Sequence, residues 1–198
     1  MVNNYELISE MRQYAEANNV PIMLDEGLEF LTDYITKNNV TSVLEIGSAI
    51  GYSAIMMALT NPELTITTIE RDEKRYLEAV RNIKKASLED RITILYNDAL
   101  EIEINDNFDL VFIDAAKAQN IKFFDKFSKN LSDNGTIITD NINFHGLVNK
   151  DESEIESRNL RGLVRKLKLY IDYLKNNKDY QTEFLDLGDG LAISKRNS

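Results

Sequence analysis

The run Val43-Leu44-Glu45-Ile46-Gly47-Ser48-Ala49-Ile50-Gly51-Tyr52-Ser53 constrains this chain more than any other stretch, because few local structures satisfy it. Val43, Leu44 and Ile46 suit a strand buried on both faces, while Gly47 and Gly51 let the backbone turn tightly and approach a ligand. The reading is strand, turn, helix, with a nucleotide-like ligand at the turn. The spacing departs from the Gly-x-Gly-x-x-Gly dinucleotide fingerprint, and no Gly-Lys-Ser/Thr follows to hold a triphosphate. Taken alone, the turn is weak evidence, and a plain strand-to-helix connection is the lesser alternative. The next apolar run, Leu64 to Ile69, adds weight because it ends in Glu70, close to the roughly 20-residue offset at which an acid meets ribose hydroxyls. The alternative for Glu70 is a solvated acid beside Arg71 and Asp72.

The rest of the chain alternates in the same way. Leu7, Ile8, Met11, Tyr14 and Ala15 recur at helical spacing between Asn3 and Asn19. Val20-Pro21-Ile22-Met23 interrupts, and a second helix carries Leu24, Leu28, Leu31 and Ile35 on one stripe. These two helices are either packing elements or a lid or dimer surface, with Met23 touching a cofactor. Further helices are expected over 54–59, 73–86, 121–131 and 153–177, the last with Leu160, Leu163, Val164, Leu167 and Ile171 as its apolar stripe. Strands are expected over 92–96, 108–113 and 136–139, the last entered through an Asp133-Asn134-Gly135 turn. Tyr180 to Leu187 and Leu191 to Ser194, joined by Gly188-Asp189-Gly190, read as a hairpin. The expected fold is α/β: a doubly wound, Rossmann-like, mostly parallel sheet with a C-terminal antiparallel hairpin, preceded by helices. With no linker or repeat, a single domain over 1–198 is expected.

Composition narrows the function. A chain of 198 residues can bury its own core, and its lack of cysteine excludes disulfides, thiolate metal sites and a cysteine nucleophile. One histidine leaves no histidine-rich metal site. The polar, acidic start and the lack of any apolar run near the roughly 20 residues of a membrane span lead to an expected cytoplasmic location without membrane contact. A formal net charge of −10 argues against nonspecific binding to a phosphate backbone, although the 23 lysines and arginines can still form a local basic patch, and no DNA partner is expected.

Ligands in an open α/β sheet bind outside the carboxyl ends of its strands. Those ends carry Glu45 to Gly51, Glu70, Asn97-Asp98, Asp114-Ala115-Ala116-Lys117 and Asp140-Asn141. Asp114, Asp140 and Asn141 offer two carboxylates and a neutral carbonyl, a hard-oxygen set suited to Mg²⁺ or another hard divalent cation and unsuited to zinc. The competing reading of Asp140-Asn141 is a turn or helix cap.

The motifs LEIGSAIGYS, FIDAAK and TDN resemble those of the metal-dependent class I O-methyltransferases related to catechol O-methyltransferase. Within that family VPIM, DYQT and GDGLAISK resemble the bacterial tRNA 5-hydroxyuridine methyltransferases. The likeness covers nearly the whole chain. It implies S-adenosylmethionine as methyl donor, with contacts at Met23, Glu45, Gly47, Ser53, Glu70, Asp98, Ala99 and Asp114. It also implies metal ligation by Asp114, Asp140 and Asn141, Lys117 as catalytic base, and a homodimer. Two departures from the family pattern are a start about one helix later and a shorter loop before Phe108.

A cation on those ligands selects an acceptor with two adjacent oxygens. A catechol has vicinal hydroxyls, and wobble 5-hydroxyuridine in tRNA has a C5 hydroxyl beside its C4 carbonyl. The metal site does not choose between them. Arg158, Arg161, Arg165, Lys166 and Lys168 either grip an anticodon stem-loop or form a solvated helix face. The leading expectation is Mg²⁺-dependent methylation of wobble 5-hydroxyuridine to 5-methoxyuridine. Its alternatives are a small-molecule catechol-type enzyme, a non-catalytic S-adenosylmethionine-binding module and, more weakly, a nicotinamide dehydrogenase. His145 either touches substrate or is solvated.

Overall fold

The computed structural model describes residues 4–197. Backbone contacts divide the chain into two compact units, residues 1–103 and 104–198.

The first unit opens with α1 (Asn4–Asn18), which buries Leu7, Met11 and Ala15 at successive four-residue steps, and α2 (Asp25–Lys37), which buries Gly27, Leu28, Leu31 and Ile35. The expected helical residue Asn3 lies outside the described residues. Leu24 leaves its expected stripe: it stands at the N-cap of α2 with half its surface exposed. Strand β1 (Ser42–Ile46), helix α3 (Tyr52–Thr60), β2 (Thr65–Glu70), α4 (Glu73–Lys85) and β3 (Ile92–Tyr96) then alternate. The three strands are parallel in the order β3-β2-β1. Val43, Leu44 and Ile46 have no exposed surface, as expected of a strand covered on both faces. Asp72 caps α4, its carboxylate accepting the Arg75 N–H at 3.0 Å.

The second unit contains β4 (Phe108–Ile113), α5 (Asn120–Phe127), β5 (Leu131–Thr139), α6 (Arg158–Lys175), β6 (Tyr180–Leu185) and β7 (Leu191–Arg196). Its strand order is β4-β5-β7-β6, with β4 and β5 parallel and the C-terminal strands antiparallel. The fold is therefore α/β and Rossmann-like, with seven strands among the described residues, mostly parallel, and antiparallel strands at the C-terminus.

Several boundaries differ from expectation, and the helix expected over 121–131 ends as α5 at Phe127, with a 3-10 turn at Ser128–Asn130 and Leu131 opening β5. The Asp133-Asn134-Gly135 turn lies inside β5, where the pairing passes from Phe108 with Leu131 to Leu110 with Thr136 and the extra residues bulge outward. A Cβ on Gly135 would sit 2.7 Å from Leu131 Cγ, so the bulge closes only around glycine. Helix α6 begins at Arg158 instead of Ser153, because Ser157 caps it through the Leu160 N–H and a short 3-10 turn occupies Glu152–Glu154. Its buried residues are Val164, Leu167, Tyr170 and Leu174, while Leu160 is 38% exposed. The aromatic side chains decide that rotation. Phe124 of α5 packs edge-on against Tyr170, Tyr173 and Tyr180, with centroids 5.1–6.4 Å away.

Candidate active site

In the first unit the loop after β1 is fixed from both sides. The Gly47 and Ser48 N–H groups both donate to Ile69 O at the end of β2, at 3.0 and 3.1 Å. Gly47 (φ 101°), Ala49 (φ 46°) and Gly51 (φ 80°) are all left-handed, and Gly51 caps α3. Ala49 adopts this conformation because its N–H donates to Glu70 Oε2 at 2.8 Å. Glu70 Oε1 accepts the Arg71 and Asp72 N–H groups at 2.9 and 2.8 Å. A carboxylate has about four acceptor positions, so this acid has one left after organising the loop. It is not a solvated acid, since only 7% of its surface is exposed.

Glu45 has no exposed surface. Its two carboxylate oxygens accept the Ser53 and Thr68 hydroxyls, each at 2.5 Å, and the parallel register places Thr68 directly opposite it. Glu45 thus holds Ser53 and lies beneath the loop. Ser53 itself is 6% exposed. At the end of β3, Asp98 Oδ1 accepts the Leu100 N–H at 2.8 Å and its Oδ2 accepts Arg71 Nη1 at 3.4 Å, with Ala99 buried beside it. Met23 is buried, its terminal methyl 3.1 Å from the position a Cβ would take on Gly27.

Sequence reasoning missed a clasp on the same loop. Arg12 of α1 donates to both carboxylate oxygens of Asp25, at 2.5 and 3.2 Å, and through Nε to the Tyr52 hydroxyl at 2.8 Å. It links both N-terminal helices to the first residue of α3. No local signal reveals a contact between residues 40 positions apart.

In the second unit, Ile113 and Thr139 pair in register, so Asp114 and Asp140 leave adjacent parallel strands at the same level. The Asp140 N–H donates to Ile113 O at 3.0 Å. Asn141 takes a left-handed backbone (φ 62°), donates its N–H to Asp140 Oδ1 at 2.6 Å and its Nδ2 to Asp114 Oδ1 at 3.2 Å. Burial is the first cause that pushes both carboxyls above their usual range. The Asp114 charge raises Asp140 further, and Lys117 opposes the rise at both. Two acids crowded together with an amide form a site that favours a cation.

The donor chemistry fits a hard divalent ion. Among the described residues no cluster of three or more His, Cys, Asp or Glu side chains that could hold a metal ion exists, so a cation at Asp114 and Asp140 would take its third donor from the Asn141 amide. Turned by 180°, that amide presents its carbonyl oxygen beside the two carboxylates, which matches the oxygen preference of Mg²⁺.

Lys117 opens a 3-10 turn after β4, and its Nζ lies 5.5 Å above the Phe144 ring. His145 exposes 71% of its side chain, while its backbone N–H donates to Asp189 Oδ1. Of the five basic residues in or near the first turns of α6, Arg161 donates to Ile155 O and Glu156 O, and Lys168 to Lys150 O. Arg158, Arg165 and Lys166 lie on the exposed face.

Comparison with known proteins shows the family. The model of the O-methyltransferase family matches residues 2–197. The chain belongs to this family. A caffeoyl-CoA O-methyltransferase of Populus kitakamiensis is 27% identical across 97% of this chain and 87% of its own length. The structure of a provisionally named caffeoyl-CoA O-methyltransferase from Staphylococcus aureus is 40% identical, covers 96% of this chain and 92% of its own, and superposes with a TM-score of 0.91. An O-methyltransferase from Bacillus cereus in complex with SAH is 25% identical over 97% of this chain and 91% of its own, with a TM-score of 0.81. The chain is thus an O-methyltransferase-family protein similar along nearly its whole length to enzymes named for caffeoyl-CoA. No helix among its described residues is long and apolar enough to cross a membrane.

Proposed function

We propose that this O-methyltransferase methylates one of two vicinal oxygens on an acceptor that chelates a hard divalent cation, with a catechol-type small molecule as acceptor. The observation that carries this reading is the level placement of Asp114 and Asp140 with the Asn141 amide at 3.2 Å from Asp114 Oδ1. The similarity to caffeoyl-CoA enzymes along nearly the full chain supports a small acceptor.

The chain's own residues then divide the work. Gly47, Ser53, Glu70, Asp98, Ala99 and Met23 hold S-adenosylmethionine, with Glu45 acting through Ser53 and the last open position of Glu70 accepting a ribose hydroxyl. Asp114, Asp140 and Asn141 hold the cation, which when bound supplies charge stabilisation for the ionising acceptor hydroxyl. Asp114 also borders the donor. Lys117 takes the hydroxyl proton at Nζ, a role that needs an uncharged amine at the moment of transfer. The acceptor oxygen then attacks the sulfonium methyl in line, the new O–C bond forming as the S–C bond breaks and S-adenosylhomocysteine leaves as the neutral thioether. Orientation of this kind contributes roughly 7–11 kcal/mol to such reactions. Both units serve one methyltransferase domain in this reading.

A second reading keeps the chemistry and changes the acceptor to wobble 5-hydroxyuridine in tRNA. The exposed Arg158, Arg165 and Lys166 favour it, since anticodon phosphates require positive charge. The deciding experiment measures methyl transfer from labelled S-adenosylmethionine, with Mg²⁺ and with chelator, to a simple catechol and to tRNA carrying or lacking 5-hydroxyuridine. Chelator-sensitive label in catechol alone is the expected result. Label confined to hydroxylated tRNA would replace the first reading with the second, and transfer that ignores the chelator would remove the cation from both.

A further inference from the structure

Beyond the proposed ligands, one buried acid in the second unit is unaccounted for. Asp189 lies at the β6–β7 hairpin with 5% of its surface exposed, far from the solvated position that a turn aspartate usually takes. Its Oδ1 accepts the His145 N–H, whereas its Oδ2 is buried without a hydrogen-bond partner. A buried carboxylate oxygen left in that state is costly and marks a place where a donor or a positive charge belongs.

The backbone around Asp189 is equally committed. Its own carbonyl accepts the Asn143 N–H at 2.8 Å, and the Gly190 carbonyl accepts the Ile142 N–H at 3.1 Å. Gly190 has φ 86°, and a Cβ there would come within 2.8 Å of Asn143 Cβ and 2.9 Å of Asn143 N. The hairpin tip therefore lies directly against the segment that follows Asp140-Asn141. In that segment Asn141, Phe144, His145 and Gly146 all have left-handed backbones. Such strain persists only where the surroundings impose it.

We infer that Asp189 is a positioning residue of the cation site, holding the 141–146 segment through Oδ1 and strengthening divalent-cation binding through the charge of its buried carboxylate. The inference rests on the proposed cation role of Asp114, Asp140 and Asn141. It assigns Asp189 no bond to the ion. Partners behind direct ligands typically alter metal affinity by about 10–100-fold.

The test uses Mn²⁺ alone, followed by electron paramagnetic resonance, together with backbone amide exchange at His145. The variants are Asp189→Asn, Asp189→Ala, Asp140→Asn, and Asp186→Asn as a control on an exposed acid of the same hairpin. Asp189→Asn retains an acceptor for the His145 N–H and removes the charge. It should weaken Mn²⁺ binding about tenfold and leave His145 exchange slow. Asp189→Ala should weaken Mn²⁺ binding and also speed exchange at His145. Asp186→Asn should change neither. Wild-type affinity in Asp189→Asn, an equal loss in Asp186→Asn, or unchanged His145 exchange in Asp189→Ala would overturn the inference. If wild-type protein bound no Mn²⁺, or if binding survived Asp140→Asn, the cation reading itself would fall and take the inference with it.

Discussion

The Tyr170 hydroxyl lies 2.7 Å from Thr139 Oγ1, a buried hydrogen bond that joins the middle of α6 to the last residue of β5. Asp140 is the next residue, so the packing of a long helix is transmitted to a proposed ligand. Burial also raises the Tyr170 phenol, which keeps it a neutral hydrogen-bonding group. Tyr170→Phe leaves a buried hydroxyl unpaired and should cost about 1–3 kcal/mol in urea denaturation. Thr139→Val should cost a similar amount, and the double variant less than the sum. Strict additivity would show that the two groups do not stabilise each other.

Proton competition should govern cation binding. Asp114 is pushed up to about 6 and Asp140 to about 7, both first by burial. A carboxyl whose folded-state pKa is raised retains protons that the unfolded chain has already released. The cation-free protein should therefore lose stability as pH rises from about 4 to 7. Over the upper part of that window the site gains negative charge, so Mg²⁺ should bind more tightly and offset the loss. Thermal melts from pH 5 to 8, with chelator and with excess Mg²⁺, should diverge as pH increases. Parallel curves would contradict this assignment.

Lys117 should separate chemistry from cation binding. Lys117→Gln should lower kcat by about 10²–10⁴-fold, the usual contribution of a positioned acid or base. Rates on the remaining activity should rise with pH as the acceptor ionises without assistance. Mn²⁺ affinity should not fall, because a positive charge near both carboxyls has been removed. A kcat within twofold of wild type would assign the proton to another group.

Ser53→Ala should affect both stability and donor binding. It leaves one oxygen of a fully buried Glu45 without its hydroxyl partner, an expected cost of about 1–3 kcal/mol. Calorimetric titration with S-adenosylhomocysteine should also show weaker binding. Equal stability in wild type and variant would mean that the buried acid finds a different donor.

Much of this architecture is legible in the sequence, for reasons visible at individual residues. Val43, Leu44 and Ile46 mark a strand covered on both faces, and the acids at the strand ends follow from the rule that open α/β sheets bind ligands there. What sequence reasoning could not supply is register. The family resemblance implies Glu45 as a cofactor contact, yet the fold turns its carboxylate to the hydroxyls of Ser53 and of Thr68, which stands opposite it across the sheet. Asp189 reads as turn chemistry, and only the fold brings it under His145. Helix α6 turns its tyrosine inward because Phe124 waits there, a preference that aliphatic periodicity alone does not contain.

The bulge around Gly135 has a consequence for variation in length. Beyond it the strands run in step to Ile113 and Thr139, so the proposed ligands inherit a fixed alignment. Before it, Asp133 and Asn134 are exposed and the ladder already accommodates surplus residues. Extra residues at 133–134 can therefore be absorbed at the end of β5 remote from the ligands, whereas one added between Thr136 and Thr139 would shift Asp140 against Asp114. One strand thus contains both a tolerant end and an end whose spacing is tied to the chemistry.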